Sequence, residues 1–210
     1  MTSQVIQQTR QKEEYITRDR LTSYYNQARI IKSLGSQVNN ILEIGIFNSL
    51  FTKIMALEGY QITTADYDAK LNPDLIIDLQ TEFVIPHNQF DTIVLFQVLE
   101  HIPYDKFELA LSKLAAATQK FLVISLPYYS NFFAINLKIN TPSRPRHLLF
   151  QLPKFWETIP LSEQHYWEIG MKGYPMKKII KSLQNTQLKL VRKYQDPYNP
   201  YHYFFVLEKS

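Results

Sequence analysis

Three residues whose chemistry suits a nucleotide-like ligand, Gly45, Asp66 and Asp78, each directly follow a short apolar run of the chain. A glycine permits a tight turn and a close approach of ligand to backbone. A carboxylate only accepts hydrogen bonds, so it can hold the two hydroxyls of a ribose or the amino group of an adenine. The pattern indicates a binding site built at the ends of strands.

The elements that must position these residues are predicted from hydrophobic periodicity. Apolar runs without polar alternation are typical of parallel strands covered on both faces, and the amphipathic segments between them predict βαβ units. The predicted strands are 41–44, 62–65, 75–77, 90–96, 121–126, 188–194 and 203–207. The predicted helices are 13–35, 49–59, one that begins at Asp105, and 175–183.

The last two predicted strands are joined by a short turn-rich link, Asp196-Pro197-Tyr198-Asn199-Pro200. A link of this length suits an antiparallel hairpin and is too short for a parallel crossover. Residues 128–170 interrupt the rhythm with prolines, Pro142 and Pro145 among them, and with many aromatics. They are predicted to form an irregular insertion with short helices over the site.

The composition of the chain limits which cellular compartment is expected and which kinds of site the chain can form. The chain of 210 residues has no cysteine, which excludes disulfides and thiolate metal sites and fits a cytoplasmic protein. Its polar N-terminus lacks the apolar core of a signal peptide, and no apolar run approaches the ~18 residues of a membrane span.

Charge is divided unevenly along the chain. Residues 1–127 carry 11 Lys and Arg against 14 Asp and Glu, a balance of −3, whereas residues 128–210 carry 12 against 5, a balance of +7. A basic half suits an anionic small-molecule substrate, a membrane surface or nucleic acid, and the plain alternative is a solvated basic surface. No basic run is dense enough to indicate nucleic-acid binding.

Several motifs resemble those of the class I S-adenosylmethionine-dependent methyltransferases. ILEIGIFNS is similar to their first motif, TTADYDAKLNPDLIIDL to the stretch that contacts ribose and adenine, FDTIVLFQVLEHIP to the fourth strand and FLVISLP to the fifth. The segments EQHYWEIG and YNPYHYFFVL resemble a bacterial subgroup of this family. The dinucleotide fingerprint of dehydrogenases fits less well, because only its first glycine is present.

The resemblance implies one α/β domain, a Rossmann-like seven-stranded sheet, mostly parallel with an antiparallel C-terminal strand and helices on both faces. The expected parts are an N-terminal helical cap at 1–37, a cofactor-binding core at 38–127, an insertion at 128–170, and a C-terminal helix and hairpin at 171–210. The implied cofactor is S-adenosyl-L-methionine. Its expected contacts are Glu43, Gly45, Ile46, Phe47, Asn48, Asp66, Tyr67, Asp78, Leu79, Gln97, Leu99 and Tyr24.

The first motif departs from the family pattern, which is roughly acidic-x-Gly-x-Gly-x-Gly. Gly45 is retained, but Phe47 and Ser49 stand where the other glycines are expected. Ser49 is small and is predicted to cap the following helix. If Asn48 takes a left-handed conformation, Phe47 can turn away from the ligand; otherwise Phe47 fills the methionine site and the domain is inactive.

The resemblance directs the search for reacting groups to strand ends and the insertion. His101 and His165 are the candidate catalytic bases, because a neutral imidazole can take a proton from a hydroxyl or amine. Glu100 is expected to support them, while Trp167 and His202 are expected to be structural. The residues expected to line the acceptor pocket are Tyr166, Glu168 and Tyr128.

No metal is expected from the sequence. The five histidines are scattered, there is no HExxH motif, and Glu100 and His101 are adjacent rather than spaced for one helix face. The predicted function is methyl transfer to a hydroxyl or amine of a small-molecule, glycan or peptide-derived acceptor. The alternative is a catalytically inactive methyltransferase-like domain that acts as a binding or scaffold partner. The oligomeric state is not predicted.

Overall fold

The computed structural model describes residues 16–86, 89–137 and 146–209, with only the backbone described at 146 and 147. The predicted start of the first helix at 13–15 lies outside these residues, as do Pro142 and Pro145. In chain order the strands are β1 Asn40–Ile44, β2 Gln61–Asp66, β3 Leu75–Ile76, β4 Thr92–Phe96, β5 Phe121–Pro127, β6 Ser130–Leu137, β7 Arg146–Pro153, β8 Lys189–Asp196 and β9 Asn199–Glu208. The α-helices are α1 Arg18–Lys32, α2 Leu50–Leu57, α3 Tyr104–Ala117 and α4 Met176–Gln184.

Seven strands form one sheet in the order β3-β2-β1-β4-β5-β9-β8. The first five are parallel to one another, and β9 pairs antiparallel with β5 and with β8. Every residue of β5 is buried, because the strand lies inside the sheet and is covered on both faces. The predicted sheet, including its antiparallel C-terminal hairpin, is confirmed.

Two buried clusters lie on the two faces of the sheet, and each is covered by a pair of helices. Phe107 and Leu111 of α3 pack with Ile179 and Leu183 of α4 in one cluster. The other cluster contains Ile30 and Ile31 of α1 with Phe51 and Met55 of α2. Helices on both faces are what a mostly parallel sheet requires.

Helical spacing predicts that Leu21 lies on the apolar stripe of the first helix and Leu57 on the inward face of the second, but both are exposed. Leu21 is 47% exposed and Leu57 is 90% exposed. In α1 the buried side chains include Ser23 and Asn26, because this helix packs against the polar turn of the C-terminal hairpin. Asn26 Nδ2 donates a hydrogen bond to Asp196 Oδ2 at 2.8 Å, a partner that hydrophobic periodicity does not reveal.

The insertion differs from its prediction, since its described residues form a hairpin and turns but no helix. Strands β6 and β7 pair antiparallel from Ser130 opposite Pro153 to Leu137 opposite Arg146. Apolar residues lie on both faces of this hairpin, so the sequence lacks the period-two alternation that signals a strand. Several of them are exposed: Phe132, Phe133, Ile135, Leu137, Leu148, Phe150 and Leu152.

The helices within the described ranges include none with both the length and the apolar character needed to cross a membrane.

Candidate cofactor and acceptor site

The carboxyl ends of β1, β2, β3 and β4 meet at one edge of the sheet because these strands are parallel. Backbone hydrogen bonds hold the ends together: Gly45 N donates to Ala65 O at 2.8 Å, and Ile77 N donates to Asp66 O at 3.0 Å. Strand order reverses between β1 and β4, and open α/β sheets bind ligands in the crevice at that point. Gly45, Asp66 and Asp78 are therefore brought to one edge, as the sequence predicts.

The turn after β1 requires a glycine at position 45. Gly45 has a φ of +88°, a region that side chains disfavour. A Cβ added there would also overlap the side chain of Val98, which follows β4. Gly45 therefore permits both the turn and the close packing of β1 on the β4 exit.

Residues 47–49, which complete the turn, have backbone conformations that differ from the predicted ones. Phe47 and Ser49 take left-handed conformations, with φ of +38° and +56°, whereas Asn48 does not. Ser49 makes no side-chain cap on α2, so the predicted cap is wrong. Asn48 Oδ1 instead accepts a hydrogen bond at 3.0 Å from the backbone N–H of Leu50, the first residue of α2.

Phe47 is 59% exposed, so its ring is not packed in the interior of the fold. The turn is also tied to α1, because Tyr24 donates a hydrogen bond to Asn48 Oδ1 at 3.2 Å. This contact brings the predicted N-terminal cap to the glycine turn. The side chain of Asn48 thus links the turn, α1 and the start of α2.

Two carboxyl groups lie under the turn. Asp66 is buried and accepts hydrogen bonds from Ile46 N through Oδ2 and from Asp68 N through Oδ1, both at 3.0 Å. Glu43 is buried and accepts a hydrogen bond from the hydroxyl of Thr52 in α2. Burial raises the pKa of Glu43 to about 7, and the charge of Asp66 adds to the rise.

The third strand end carries Asp78, whose Oδ1 accepts a hydrogen bond from Gln80 N at 2.9 Å. Tyr67 is 75% exposed, whereas Leu79 and Leu99 both lie in the core cluster. Leu99 is fully buried, so the prediction that it packs beside a cofactor is wrong. The apolar character of Leu99 serves the core of the sheet instead.

Gln97 follows β4 in a left-handed conformation, with a φ of +59°. Its backbone N–H donates to Ser125 O, and its Nε2 donates to Ser125 Oγ, both at 3.1 Å. These bonds fix the exit of β4 against β5. Ser125 was not predicted, because a serine within an apolar strand carries no local sign of such a contact.

The last part of the insertion folds back over the exit of β4. Tyr166 N donates to Glu100 O at 2.9 Å, and Trp167 Nε1 donates to Ile102 O at 3.0 Å. Trp167 is fully buried against Tyr104 and other aromatic rings, which confirms its predicted role as a core anchor. The anchored segment carries His165 to His101, and their ring centroids lie 4.7 Å apart.

His101 and His165 each have one ring nitrogen held by the chain. His101 Nδ1 lies 3.1 Å from the carbonyl oxygen of Gln164, and His165 Nδ1 lies 2.8 Å from Glu168 Oε1. Burial lowers the pKa of His101, and the charge of His165 lowers it further. The neutral form of His101, the form that can accept a proton, is thereby favoured.

The predicted acceptor residues have different environments. Glu168 is fully buried, so its assignment to the lining of a pocket is wrong; its Oε1 also accepts a hydrogen bond from Leu161 N at 3.0 Å. Tyr166 is 55% exposed. Tyr128 is half-buried and packs edge to face on Tyr203 with ring centroids 5.8 Å apart.

His202 is a structural residue in the fold, as predicted. Its Nδ1 lies 2.6 Å from the hydroxyl of Ser23 in α1. Burial lowers its pKa to about 3, with a smaller contribution from the charge of Arg20. The pair joins α1 to the C-terminal hairpin.

The sequence argument that the histidines are scattered is wrong in three dimensions. Glu100, His101 and His165 each offer one atom of a kind that ligates metals, and these atoms all lie within 4.8 Å of one another. The adjacent Glu100 and His101 are the part of this group that could be recognised in the sequence. The third member becomes visible only when residues 161–168 pack over the exit of β4.

No protein-family model matches the chain, and no curated protein matches it either. Solved structures do match. The magnesium protoporphyrin IX methyltransferase of Synechocystis PCC 6803, with bound S-adenosylmethionine, superposes with a TM-score of 0.60 at 13% identity, over 91% of this chain and 80% of that one.

Two further solved structures resemble the chain over most of its length. The 1,6-didemethyltoxoflavin-N1-methyltransferase of Burkholderia thailandensis gives a TM-score of 0.61 at 12% identity, over 99% of this chain and 86% of that one. The N-methyltransferase NodS of Bradyrhizobium japonicum gives 0.60 at 14% identity, over 92% and 88%. Together with the strand order, these similarities show that the chain has the Rossmann-like fold of the class I S-adenosylmethionine-dependent methyltransferases.

Proposed function

We propose that this protein is a methyltransferase that uses S-adenosyl-L-methionine and modifies a hydroxyl or amine of a small-molecule, glycan or peptide-derived acceptor. The observation that carries the proposal is the position of Gly45, Asp66 and Asp78 at adjacent strand ends, beside the point where strand order reverses. Such a crevice is the binding place of nucleotide-like ligands in open α/β sheets.

The residues at this edge fit the cofactor. Each oxygen of Asp66 accepts one backbone N–H and keeps a second lone pair for a ribose hydroxyl. Asp78 is assigned to the adenine amino group. The turn from Gly45 to Asn48 is assigned to the amino-acid end together with Gln97, and Tyr24 covers the turn from α1.

S-Adenosylmethionine supplies, when bound, a methyl group on a positively charged sulfur. The task of the protein is then to align the acceptor with that group and to remove a proton where the acceptor requires it. His101 and His165 are assigned this proton transfer, since both lie at the exit of β4 and each has its Nδ1 engaged elsewhere. Tyr166 and Tyr128 are assigned to the acceptor side of the crevice.

Three observations support the proposed kind of acceptor and the proposed cellular location. The balance of +7 in residues 128–210 favours an anionic acceptor. The similar structures include enzymes named for porphyrin and toxoflavin substrates, which supports a small-molecule acceptor here. The absence of cysteine from the chain supports a cytoplasmic location.

A second candidate function is an inactive methyltransferase-like binding domain, and Phe47 in the turn favours it. Any side chain at the middle glycine position takes space that a ligand would use. The 59% exposure of Phe47 argues against a ring that permanently fills a buried methionine site. The two candidates therefore make opposite predictions for ligand binding.

Isothermal titration calorimetry with S-adenosylmethionine and S-adenosylhomocysteine separates them. The methyltransferase proposal expects saturable binding of both ligands by the wild-type protein. Lack of binding at about 1 mM ligand, an affinity weaker than about −4 kcal/mol, would overturn it. If Phe47→Gly then gains binding that the wild type lacks, Phe47 blocks the site and the inactive-domain candidate is supported.

A further inference from the structure

Glu100, His101 and His165 form a compact group at the exit of β4, called here the His–Glu cluster. One ring nitrogen or carboxylate oxygen of each lies within 4.8 Å of the others. The separation of His165 Nε2 and Glu100 Oε1 is 4.0 Å. Imidazole nitrogens and carboxylate oxygens are ligands of divalent transition metals, so the cluster has the composition of a metal site.

The hydrogen bonds of the two histidines leave the same atom available on each. The carbonyl oxygen of Gln164 only accepts, so His101 Nδ1 carries the proton of that bond. The carboxylate of Glu168 likewise only accepts, so His165 Nδ1 also carries the proton of its bond. A neutral imidazole with its proton on Nδ1 holds its lone pair on Nε2, so Nε2 is the atom left to bind a ligand on both histidines. Metal-binding histidines typically have their second nitrogen bonded to a carboxylate or a carbonyl in this way.

Glu100 is the third member and the one that needs a partner. It is fully buried, and neither of its carboxylate oxygens has a hydrogen-bond partner within the part of the chain that the structure describes. Burying an unpaired carboxylate is costly. A cation held between Glu100 and the two histidines would supply the missing interaction.

We propose that the His–Glu cluster binds one divalent transition metal ion, represented by Zn²⁺, through Glu100, His101 Nε2 and His165 Nε2. Two histidines and one glutamate are a known ligand set of zinc sites that keep a fourth position open. Bonds of about 2.1 Å place tetrahedral ligands about 3.4 Å apart. The observed separations would contract by roughly 1 Å on binding.

The catalytic consequence rests on the proposed function, but metal binding itself does not. A bound ion would lower the pKa of an acceptor hydroxyl, whose proton then leaves to water. In that case Glu100, His101 and His165 act through the ion, and neither histidine needs to take the proton directly. His101 and His165 would still lie on the acceptor side of the crevice.

The test is metal binding by the full-length, untagged protein after treatment with a chelator. Zn²⁺ affinity is measured by competition with a chromophoric chelator, and stoichiometry by elemental analysis. Co²⁺ replaces Zn²⁺ to give a visible absorption spectrum that reports nitrogen and oxygen ligands. The expected result is one tightly bound ion per chain with a tetrahedral Co²⁺ spectrum.

Matched variants locate the ion. Glu100→Gln and His165→Gln are each expected to weaken Zn²⁺ binding by at least 10-fold and to change the Co²⁺ spectrum. The controls are Glu58→Gln, an exposed glutamate, and His202→Gln, a half-buried histidine outside the cluster; both should bind as the wild type does. His101→Gln, at a half-buried position, provides a second test if Glu100→Gln or His165→Gln fails to fold.

The outcomes separate this inference from the proposed function. Lack of stoichiometric Zn²⁺ binding, or unchanged affinity in His101→Gln and Glu100→Gln, overturns the metal site. Calorimetry with S-adenosylhomocysteine on the metal-free protein tests the cofactor site independently. Metal binding without cofactor binding supports the cluster and contradicts the methyltransferase proposal, whereas the reverse result contradicts the cluster alone.

Discussion

The carboxylate of Asp66 accepts a hydrogen bond from the backbone N–H of Ile46 at 3.0 Å. This bond joins the turn after β1 to the end of β2, so the residue proposed to bind the cofactor ribose also holds the turn proposed to bind the same ligand. Asp66 is buried, and its two oxygens each receive a backbone N–H. Substitution of Asp66 is therefore expected to alter binding and the turn together.

Asp66→Asn is predicted to weaken S-adenosylhomocysteine binding by roughly 10- to 100-fold, because hydrogen bonds to a charged acceptor contribute about 1.5–3 kcal/mol. Asparagine retains one acceptor oxygen for Ile46 N–H but presents donors on its other side. Calorimetry measures the change. Asp74→Asn, at an exposed carboxylate bonded to Thr64, is the control and should bind normally; equal affinity of the two variants would refute the ribose assignment.

Gly45→Ala is predicted to lower the free energy of unfolding by about 2–5 kcal/mol. A left-handed conformation costs a side chain about 1–2 kcal/mol, and the overlap with Val98 adds an overpacking cost of about 1–3 kcal/mol. Urea denaturation measures the loss. Gly35→Ala is the control, because Gly35 has a similar φ of +84° but an added Cβ meets nothing within 4 Å.

The Gly35→Ala variant should therefore lose only the free energy of unfolding that the left-handed conformation costs, about 1–2 kcal/mol. Equal losses in the two glycine variants would show that the contact with Val98 contributes nothing to the requirement for glycine at position 45.

Glu43→Gln is predicted to stabilise the protein above neutral pH. The pKa of Glu43 is about 7 in the fold against an ordinary 4.5, so the native state retains a proton that the unfolded state releases. Wild-type stability accordingly falls as pH rises from 4.5 to 7, by up to ~3 kcal/mol. Denaturation of both proteins at about pH 5 and about pH 8 measures the difference, which should grow towards the higher pH.

Thr52→Val separates the charge of Glu43 from its hydrogen bond. The variant removes the hydroxyl that donates to Glu43 and should destabilise the protein at both pH values. A Glu43→Gln effect that does not change with pH would contradict the assigned pKa.

His202→Gln is predicted to reduce the loss of stability in acid. The pKa of His202 is about 3 in the fold against 6.5 ordinarily, so below pH 6.5 the unfolded state takes up a proton that the native state refuses. Stability is lost as pH falls from 6.5 towards 3, by about 1.4 kcal/mol per pH unit. Chemical denaturation of wild type and variant across this range measures the slope attributable to His202.

As pH rises, stability increases through the titration of His202 and decreases through that of Glu43. The two effects partly cancel in the wild type, so each is measured by comparing its own variant with the wild type. Parallel stability profiles of wild type and His202→Gln would show that His202 titrates normally in the fold.

The sequence by itself determined the sheet. The runs at 41–44 and 121–126 are continuously apolar because their strands are covered on both faces, and the short link after Asp196 allowed only a hairpin. Gly45, Asp66 and Asp78 were predictable for the same reason, since residues that end parallel strands must share an edge.

Tertiary structure alone decided the details of the site. It assigned the left-handed conformations to Phe47 and Ser49, gave Asn48 the side-chain hydrogen bond to the first N–H of α2, and buried Leu99 and Glu168. It also brought His165 to Glu100 and His101. Local periodicity reports which face of an element is buried, but contacts between distant segments depend on how residues 161–168 pack across the strand ends, which no local pattern encodes.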